Sequence, residues 1–176
     1  MAALSWRFLT SRQKTAVGWV DVMHSYAATI NWERGDQSFT DNEYSRGHTW
    51  TFDGGLVVPA SSSPTIVPLP HSVAENVDPE EAFVASLSSC HMLFFLAIAA
   101  ARGVIVDRYN DAAVGQMGKD DRGLTAITKV VLRPEASYSG EKVPGRNQIE
   151  RIHNRAHEMC FVANSVRSEI VVEVVS

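Results

Sequence analysis

The sequence predicts an α+β domain in which mixed and antiparallel sheets pack around a long central helix. Three observations predict it: a well-capped apolar helix begins near residue 78, short strand-like segments lie on both sides of it, and a second helical segment lies near the C-terminus. Groups of strands separated by single helices are typical of α+β domains. The 176 residues, 45% of them apolar, are enough for one domain with a buried core.

Strands are predicted in the N-terminal part of the chain. Residues 25–32 alternate in polarity as a strand does, and the polar stretch 33–42 follows. Residues 49–58 predict a hairpin, because Asp53-Gly54-Gly55 stands between two apolar runs. Residues 59–77 contain four of the seven prolines, which predicts a loop.

The first helix has a clear start. Asp78 is a good N-cap, Pro79 suits the first helical position, and Glu81 completes a capping box. Gly103 is placed to end the helix. Residues 82–101 carry no charge, but they are rich in alanine and have serines, a cysteine and a histidine at their centre. We therefore predict a helix buried on most sides of a soluble fold, and no membrane partner.

The C-terminal half predicts three strands and a helix. Residues 108–118 and 124–132 are predicted strands, joined by a polar turn. Apolar residues at helical spacing predict a second helix over 147–161. The β-branched residues of 168–175 predict a final strand.

The N-terminal segment, the net charge and the number of cysteines predict the domain boundary, the partners and the compartment. Residues 1–22 have no apolar run long enough for a signal peptide. We expect them to be a peripheral extension, either a transit peptide or a segment upstream of a start at Met23, before a single domain of residues 23–176. The net charge of −4 argues against nucleic acid as a partner. Two cysteines are too few for a secreted disulfide scaffold, so we expect a cytoplasmic protein.

Cys90 and Cys160 are the strongest candidates for chemistry, and both are predicted to lie in helices. Seventy positions apart and with no CxxC motif, they leave three interpretations open: buried inert thiols, a metal site or a redox pair. His153, His157 and Cys160 have a spacing that could ligate zinc. The turn-borne cysteine pairs of structural zinc sites are missing, however, and we predict no metal and no other cofactor.

Three segments resemble the OsmC/Ohr family. Residues 78–91, DPEEAFVASLSSCH, resemble its first cysteine motif, which has Asn/Asp-Pro-Glu-Glu/Gln and a reactive cysteine ten residues after the first Glu. Residues 156–166, AHEMCFVANSV, resemble the second cysteine motif, and residues 44–55 resemble a subfamily variant of the N-terminal sheet. The resemblance covers about residues 23–176. It implies an obligate intertwined homodimer that reduces organic hydroperoxides with thiols.

The resemblance also implies roles for single residues. Cys90 corresponds to the peroxidatic cysteine, Cys160 to the resolving cysteine and Glu80 to the active-site glutamate. Arg46 is the best candidate for the arginine that assists the thiol, and Arg34 is the second. An external dithiol would reduce the resulting disulfide. The alternative from another class is a non-catalytic OsmC-like protein that binds a ligand or uses its cysteines structurally.

The spacing of Glu80 and Cys90 bears on the assembly. On one straight helix, residues ten positions apart are separated by ~15 Å along the axis and about 80° around it. The two side chains of one chain would then be too far apart to serve one site. We therefore expect an active site at the dimer interface, where Glu80 reaches the partner's Cys90.

Overall fold

The computed structural model describes residues 12–15, 18–21 and 24–175 and has an α+β fold. The two helices are α1 (Pro79–Ala101) and α2 (Arg146–Met159). The strands, in chain order, are β1 (Arg12–Thr15), β2 (Gly18–Asp21), β3 (Ala28–Asn31), β4 (His48–Phe52), β5 (Val57–Ala60), β6 (Ile105–Asp111), β7 (Val114–Lys119), β8 (Thr125–Leu132), β9 (Pro134–Ser139) and β10 (Glu169–Val172). They form four small sheets with strand orders β1-β2, β3-β4-β5, β6-β9 and β10-β8-β7.

The β3-β4-β5 sheet is antiparallel and contains the predicted hairpin. Its turn closes where the Gly55 N–H donates to the Phe52 carbonyl at 2.9 Å. Gly55 has φ +84°, a backbone conformation that favours glycine, which explains the Asp-Gly-Gly sequence. The hairpin prediction is confirmed.

The proline-rich loop returns to the end of this sheet. Ala60 forms a parallel bridge with Val77, and the Ser61 N–H donates to the Val77 carbonyl at 3.0 Å. The loop thus anchors the start of α1, two residues after Val77, to the edge of the β3-β4-β5 sheet.

Helix α1 begins as the sequence predicts. The Asp78 carboxylate accepts a hydrogen bond from the Glu81 N–H at 2.7 Å, and the Glu81 carboxylate accepts one from the Asp78 N–H at 3.4 Å. At the other end, Gly103 has φ +70°, as expected of the residue that follows a helix cap. Twenty-three residues therefore form one continuous helix.

Only one face of α1 is buried within the chain. The helix is long and apolar enough to cross a membrane, as many core helices of soluble proteins are. Only 33% of its most apolar window is buried within the chain, however. The prediction of a helix buried on most sides is therefore wrong for the single chain. Two clusters contain its buried apolar residues: Phe95, Ile98 and Ala99 with Val104, Ile152 and Ala156, and Leu87 with Val130 and Leu132.

The predicted strand over 108–118 is wrong, because the chain forms two strands there in different sheets. β6 ends at Asp111 and β7 begins at Val114. The Asp111 carboxylate accepts hydrogen bonds from the Ser88 hydroxyl of α1 and from the Arg133 N–H at 2.6 Å. These contacts fix Asp111 in place, and the chain leaves β6 for the β10-β8-β7 sheet after it.

Strand β9 was not predicted, and the two C-terminal elements are shorter than predicted. β9 begins with Pro134, a residue that strands tolerate at their first position. α2 covers Arg146–Met159 rather than 147–161, so Cys160 lies just outside it. The final strand is Glu169–Val172 rather than 168–175, and it pairs parallel to β8.

The N-terminal extension is described only in part. β1 and β2 pair with each other as a separate antiparallel sheet. Residues 1–11 and Met23, the candidate start, lie outside the described residues, so the predicted boundary stays a prediction.

Replacing the helix cap should weaken the fold. Asp78→Ala removes the acceptor for the Glu81 N–H, and we expect it to lower the free energy of unfolding by about 1–2 kcal/mol. Asp78→Ser retains an acceptor at the N-cap and should lose much less. Urea denaturation of the three proteins measures the difference, and equal losses in Ala and Ser would show that the cap is unimportant.

Candidate active site

The fold brings Cys90 and Cys160 together. Cys90 is partly exposed on α1, whereas Cys160, the cap residue after α2, is 1% exposed. Burial raises the pKa of the Cys160 thiol to about 11, and the adjacent Cys90 thiol adds to the rise. Both are free thiols. The arrangement is thus a partly accessible thiol beside a buried one that stays protonated at neutral pH.

Cys160 lies directly after α2 and not within it as predicted. Its backbone is extended, with φ −67° and ψ 111°, because α2 has already ended. Its sulfur accepts a hydrogen bond from the Ala163 N–H at 3.4 Å, at the start of the 3-10 turn Ala163–Ser165. The Phe161 ring packs edge-on against Phe94 of α1 with centroids 5.0 Å apart. The segment that contains Cys160 is therefore held against the helix that contains Cys90.

Arg46 and Glu80 line a depression of their own, which the two cysteines do not line. They share a depression of about 470 Å³ between the start of α1 and the β3-β4-β5 sheet. Its other lining residues are Trp32, Phe39, Tyr44, His48, Ser61, Ser62 and Pro79. The arginine and glutamate implied by the resemblance thus lie in one depression, with an aromatic wall.

The Arg46 guanidinium is held by its local segment. It lies over the Tyr44 ring at 3.8 Å from the centroid and donates to the Asn42 side-chain oxygen at 2.7 Å. Arg34 donates instead to the Gln37 carbonyl in an exposed turn and does not line the depression. Of the two candidate arginines, only Arg46 lines the same depression as Glu80.

Sequence reasoning missed His48 in the same depression. Trp50 Nε1–H donates to His48 Nε2 at 2.8 Å, so the proton of a neutral ring stands on Nδ1. That Nδ1–H donates to the Arg46 carbonyl at 2.8 Å. His48 therefore fixes the backbone of Arg46. The signal available beforehand was its place two residues after Arg46 at the start of a strand.

Within one chain, Arg46 and Glu80 are far from the two cysteines. The uninterrupted α1 keeps Glu80 and Cys90 separated by ~15 Å along the helix axis. The structure thus assembles Cys90 with Cys160 and Arg46 with Glu80, but it does not bring all four together in one protomer.

Of the two histidines named for the metal alternative, His153 bonds another histidine and His157 Nδ1 is buried without a partner among the described residues. His153 Nδ1 is 3.0 Å from His91 Nε2 in a buried hydrogen bond between α1 and α2. In the part of the chain that the structure describes, no three or more His, Cys, Asp or Glu side chains are arranged to hold a metal ion. Burial lowers the pKa of His91 to about 4 and that of His153 to about 3. Both rings are therefore neutral at pH 7.

Comparison with known proteins settles the family. Residues 72–175 match the family described as OsmC-like protein. The chain belongs to the OsmC-like family. A search of the curated proteins finds no significant match. The family assignment confirms the resemblance carried by the two cysteine motifs.

Solved structures agree with the assignment. An OsmC-like protein of unknown function from Vibrio cholerae is 55% identical, with 87% of this chain and 100% of that chain covered and a TM-score of 0.86. The organic hydroperoxide resistance protein of Elizabethkingia anophelis is 16% identical, with 88% and 96% covered and a TM-score of 0.63. The organic hydroperoxide resistance protein OhrB of Bacillus subtilis is 19% identical, with 86% and 98% covered and a TM-score of 0.58. The latter two share the fold.

The buried histidines should make this OsmC-like protein less stable in mild acid. Their pKa values of about 4 and 3 lie below the ordinary value of 6.5, which applies in the unfolded chain. As the pH falls below 6.5, the unfolded state therefore binds protons that the folded state does not. The free energy of unfolding should drop by about 1.4 kcal/mol per pH unit for each histidine down to about pH 4.

Urea denaturation at several pH values between about 7.5 and 4.5 measures this slope. The double variant His91→Leu/His153→Leu should show a flatter slope than the wild type. His24→Gln, which removes an exposed histidine, should keep the wild-type slope. Equal slopes in all three proteins would contradict the assignment to the buried pair.

Proposed function

We propose that this OsmC-like protein is a thiol-dependent peroxidase that reduces organic hydroperoxides and protects against oxidative stress. The adjacency of the Cys90 and Cys160 thiols is the observation that carries the proposal. The names of the two organic hydroperoxide resistance proteins that share its fold support it. In this proposal Cys90 is the peroxidatic cysteine and Cys160 the resolving cysteine.

The chemistry balances with a dithiol as the electron donor. The Cys90 thiolate attacks the distal oxygen of ROOH, the O–O bond breaks, and the alkoxide takes a proton to leave as ROH. The Cys90 sulfenic acid then condenses with the Cys160 thiol to a disulfide and releases water. An external dithiol reduces this disulfide by exchange and becomes oxidised itself. Neither a metal nor a flavin enters these steps.

The different surroundings of the two thiols suit this order of events. Cys90 is partly exposed and can meet a peroxide, whereas Cys160 is buried. Because its pKa is raised to about 11, Cys160 remains a thiol and does not compete for the peroxide. Two free cysteines also fit a reducing cytoplasm, the compartment that we propose.

Arg46 and Glu80 would act on the peroxide and on the Cys90 thiolate. A guanidinium stabilises a thiolate and the negative charge that develops on the leaving oxygen. Glu80 would orient Arg46, since both line one depression. The aromatic wall beside them, formed by Trp32, Phe39 and Tyr44, offers an apolar surface for the organic part of the peroxide.

We further propose a homodimer that completes the site. The continuous α1 keeps Glu80 away from Cys90 of its own chain, so a second protomer must supply one of them. The face of α1 that the chain leaves uncovered is apolar, with Leu93 60% exposed. A depression of about 710 Å³ extends along α1 from Glu80 to Met92. A second copy seated there would cover α1 and bring Arg46 and Glu80 to the partner's Cys90.

Matched cysteine variants test the peroxidase. We expect Cys90→Ser to lower consumption of cumene hydroperoxide with dithiothreitol by at least about 100-fold, because the nucleophile is lost. Without a reductant, Cys160→Ser should still consume one equivalent of peroxide and then accumulate sulfenic or sulfinic acid on Cys90. Coupled peroxide assays and mass spectrometry of the protein measure both results.

One outcome would contradict the peroxidase activity and another would contradict the resolving role of Cys160. One is wild-type consumption no faster than that of Cys90→Ser with any of several hydroperoxides, which would favour a non-catalytic, ligand-binding OsmC-like protein. The other is a wild-type protein, treated with peroxide in the absence of a reductant, whose Cys90 becomes sulfinic acid while Cys160 is still a free thiol, which would reject the resolving role.

Mixed dimers test the shared site. Cys90→Ser and Arg46→Ala protomers are each inactive as homodimers in this proposal. Co-expressed with two different tags, they should form heterodimers in which one of the two sites pairs an intact Cys90 with an intact Arg46. Purified heterodimers should then show about half of the wild-type activity, because sites built across a two-fold interface are complemented. Inactive heterodimers, or a monomer in sedimentation with full activity, would contradict the shared site.

A further inference from the structure

A buried pair of histidines lies between α1 and α2, and the proposed peroxidase chemistry does not use it. His91 on α1 and His153 on α2 are 1% and 2% exposed. Their rings are parallel within 1°, and one ring nitrogen of each forms the 3.0 Å hydrogen bond. Among the described residues, this is the one side-chain hydrogen bond that joins α1 to α2.

The pair belongs to the same helix-helix contact as the cysteines. His91 directly follows Cys90, and His153 stands seven residues, or about two helical turns, before Cys160. His153 also stacks on Phe95 of α1, with ring centroids 4.2 Å apart. Any movement that slides α1 along α2 would change the His91–His153 distance and the Cys90–Cys160 distance together.

A hydrogen bond restricts such sliding more strongly than apolar packing does. An apolar contact tolerates small offsets between two helices, whereas an N–H···N bond needs its two nitrogens about 3 Å apart and aligned. Breaking the bond inside the core would leave two ring nitrogens unsatisfied, at a cost of about 1–3 kcal/mol for each. His91 Nδ1 already has no partner among the described residues. The His91–His153 bond therefore strongly favours one relative position of α1 and α2.

The protonation state of the pair supports this role. Burial keeps both rings neutral at pH 7, so one ring donates and the other accepts. The titratable groups that face His91 are His157 on α2 and Asp111 on β6. Tyr109 of β6 packs near His153, with ring centroids 6.5 Å apart, and burial raises its pKa, so it is neutral as well. Asp111 is held by Ser88 and Arg133 rather than by either ring.

We propose that His91 and His153 are positioning residues for the redox pair: their hydrogen bond fixes the offset of α1 against α2 at which Cys90 and Cys160 can form a disulfide. This inference rests on the redox role proposed above for the two thiols. The pair touches neither peroxide nor reductant, and it acts through α1, which contains Cys90, and through α2, which ends directly before Cys160.

A glutathione equilibrium tests the positioning without any peroxide. In this reaction two protein thiols and one oxidised glutathione give the Cys90–Cys160 disulfide and two reduced glutathiones, so the electrons balance. The equilibrium ratio is the effective concentration of one thiol at the other. For His91→Leu/His153→Leu, we expect this concentration to fall at least about tenfold, although the apolar pair keeps the protein folded.

His91→Gln is the matched rescue, because a glutamine amide can place a hydrogen-bonding group where His91 Nε2 stands and leaves the stack of His153 on Phe95 intact. We expect its effective concentration to stay within about threefold of the wild-type value, while His91→Leu alone falls with the double variant. If the double variant does not fold, the comparison of His91→Gln with His91→Leu decides alone.

The outcomes separate this inference from the peroxidase proposal. An undiminished effective concentration in a folded double variant, or an equal loss in His91→Gln and His91→Leu, would overturn the positioning role. Loss in the leucine variants with rescue by glutamine supports it, even in a protein that consumes no hydroperoxide. In that case the peroxidase proposal fails on its own assay, while the positioned thiol pair stands.

Discussion

The packing of α1 on α2 is the interaction on which the rest of the structure depends. Phe95, Ile98 and Ala99 of α1 bury their side chains against Ile152 and Ala156 of α2. This apolar contact brings together two cysteines that are 70 positions apart in the sequence. It also encloses a polar pair in a core that otherwise excludes water. Chemistry at the thiols is therefore coupled to the quality of an ordinary hydrophobic contact.

The parts of the fold that could be predicted are those specified by neighbours in sequence. The start of α1 depends on residues three positions apart, and the β4-β5 hairpin on a glycine turn, so both can be identified from a short window. The break after Asp111 could not be predicted, because it depends on Ser88 and on Arg133, which are 23 and 22 positions away. Strand β9 could not be predicted because it begins with Pro134, and proline inside a sequence segment normally argues against a strand.

The candidate site shows the same division. Cys90, Cys160 and Glu80 could be named because they stand in motifs with fixed spacing. The sequence suggested His153 as a possible metal ligand because of its spacing from His157 and Cys160. It did not show that His91 of α1 lies against His153 in the folded chain. Once both helices are in place, a side chain that looked like a ligand is seen to bond another imidazole. Residue type predicts which chemistry is possible, and tertiary contacts decide which of the possibilities is realised.

The continuity of α1 has a consequence for protein engineering. One residue inserted between Glu80 and Cys90 would rotate the thiol by about 100° around the helix and shift it by ~1.5 Å, which turns it away from α2. This stretch therefore accepts changes of residue identity far better than changes of length. The proline-rich loop before Asp78 has the opposite character, because loops tolerate insertions at small entropic cost. A variant library should accordingly hold the length of α1 constant and place its length variation in the exposed part of the loop around Ile66 and Leu69.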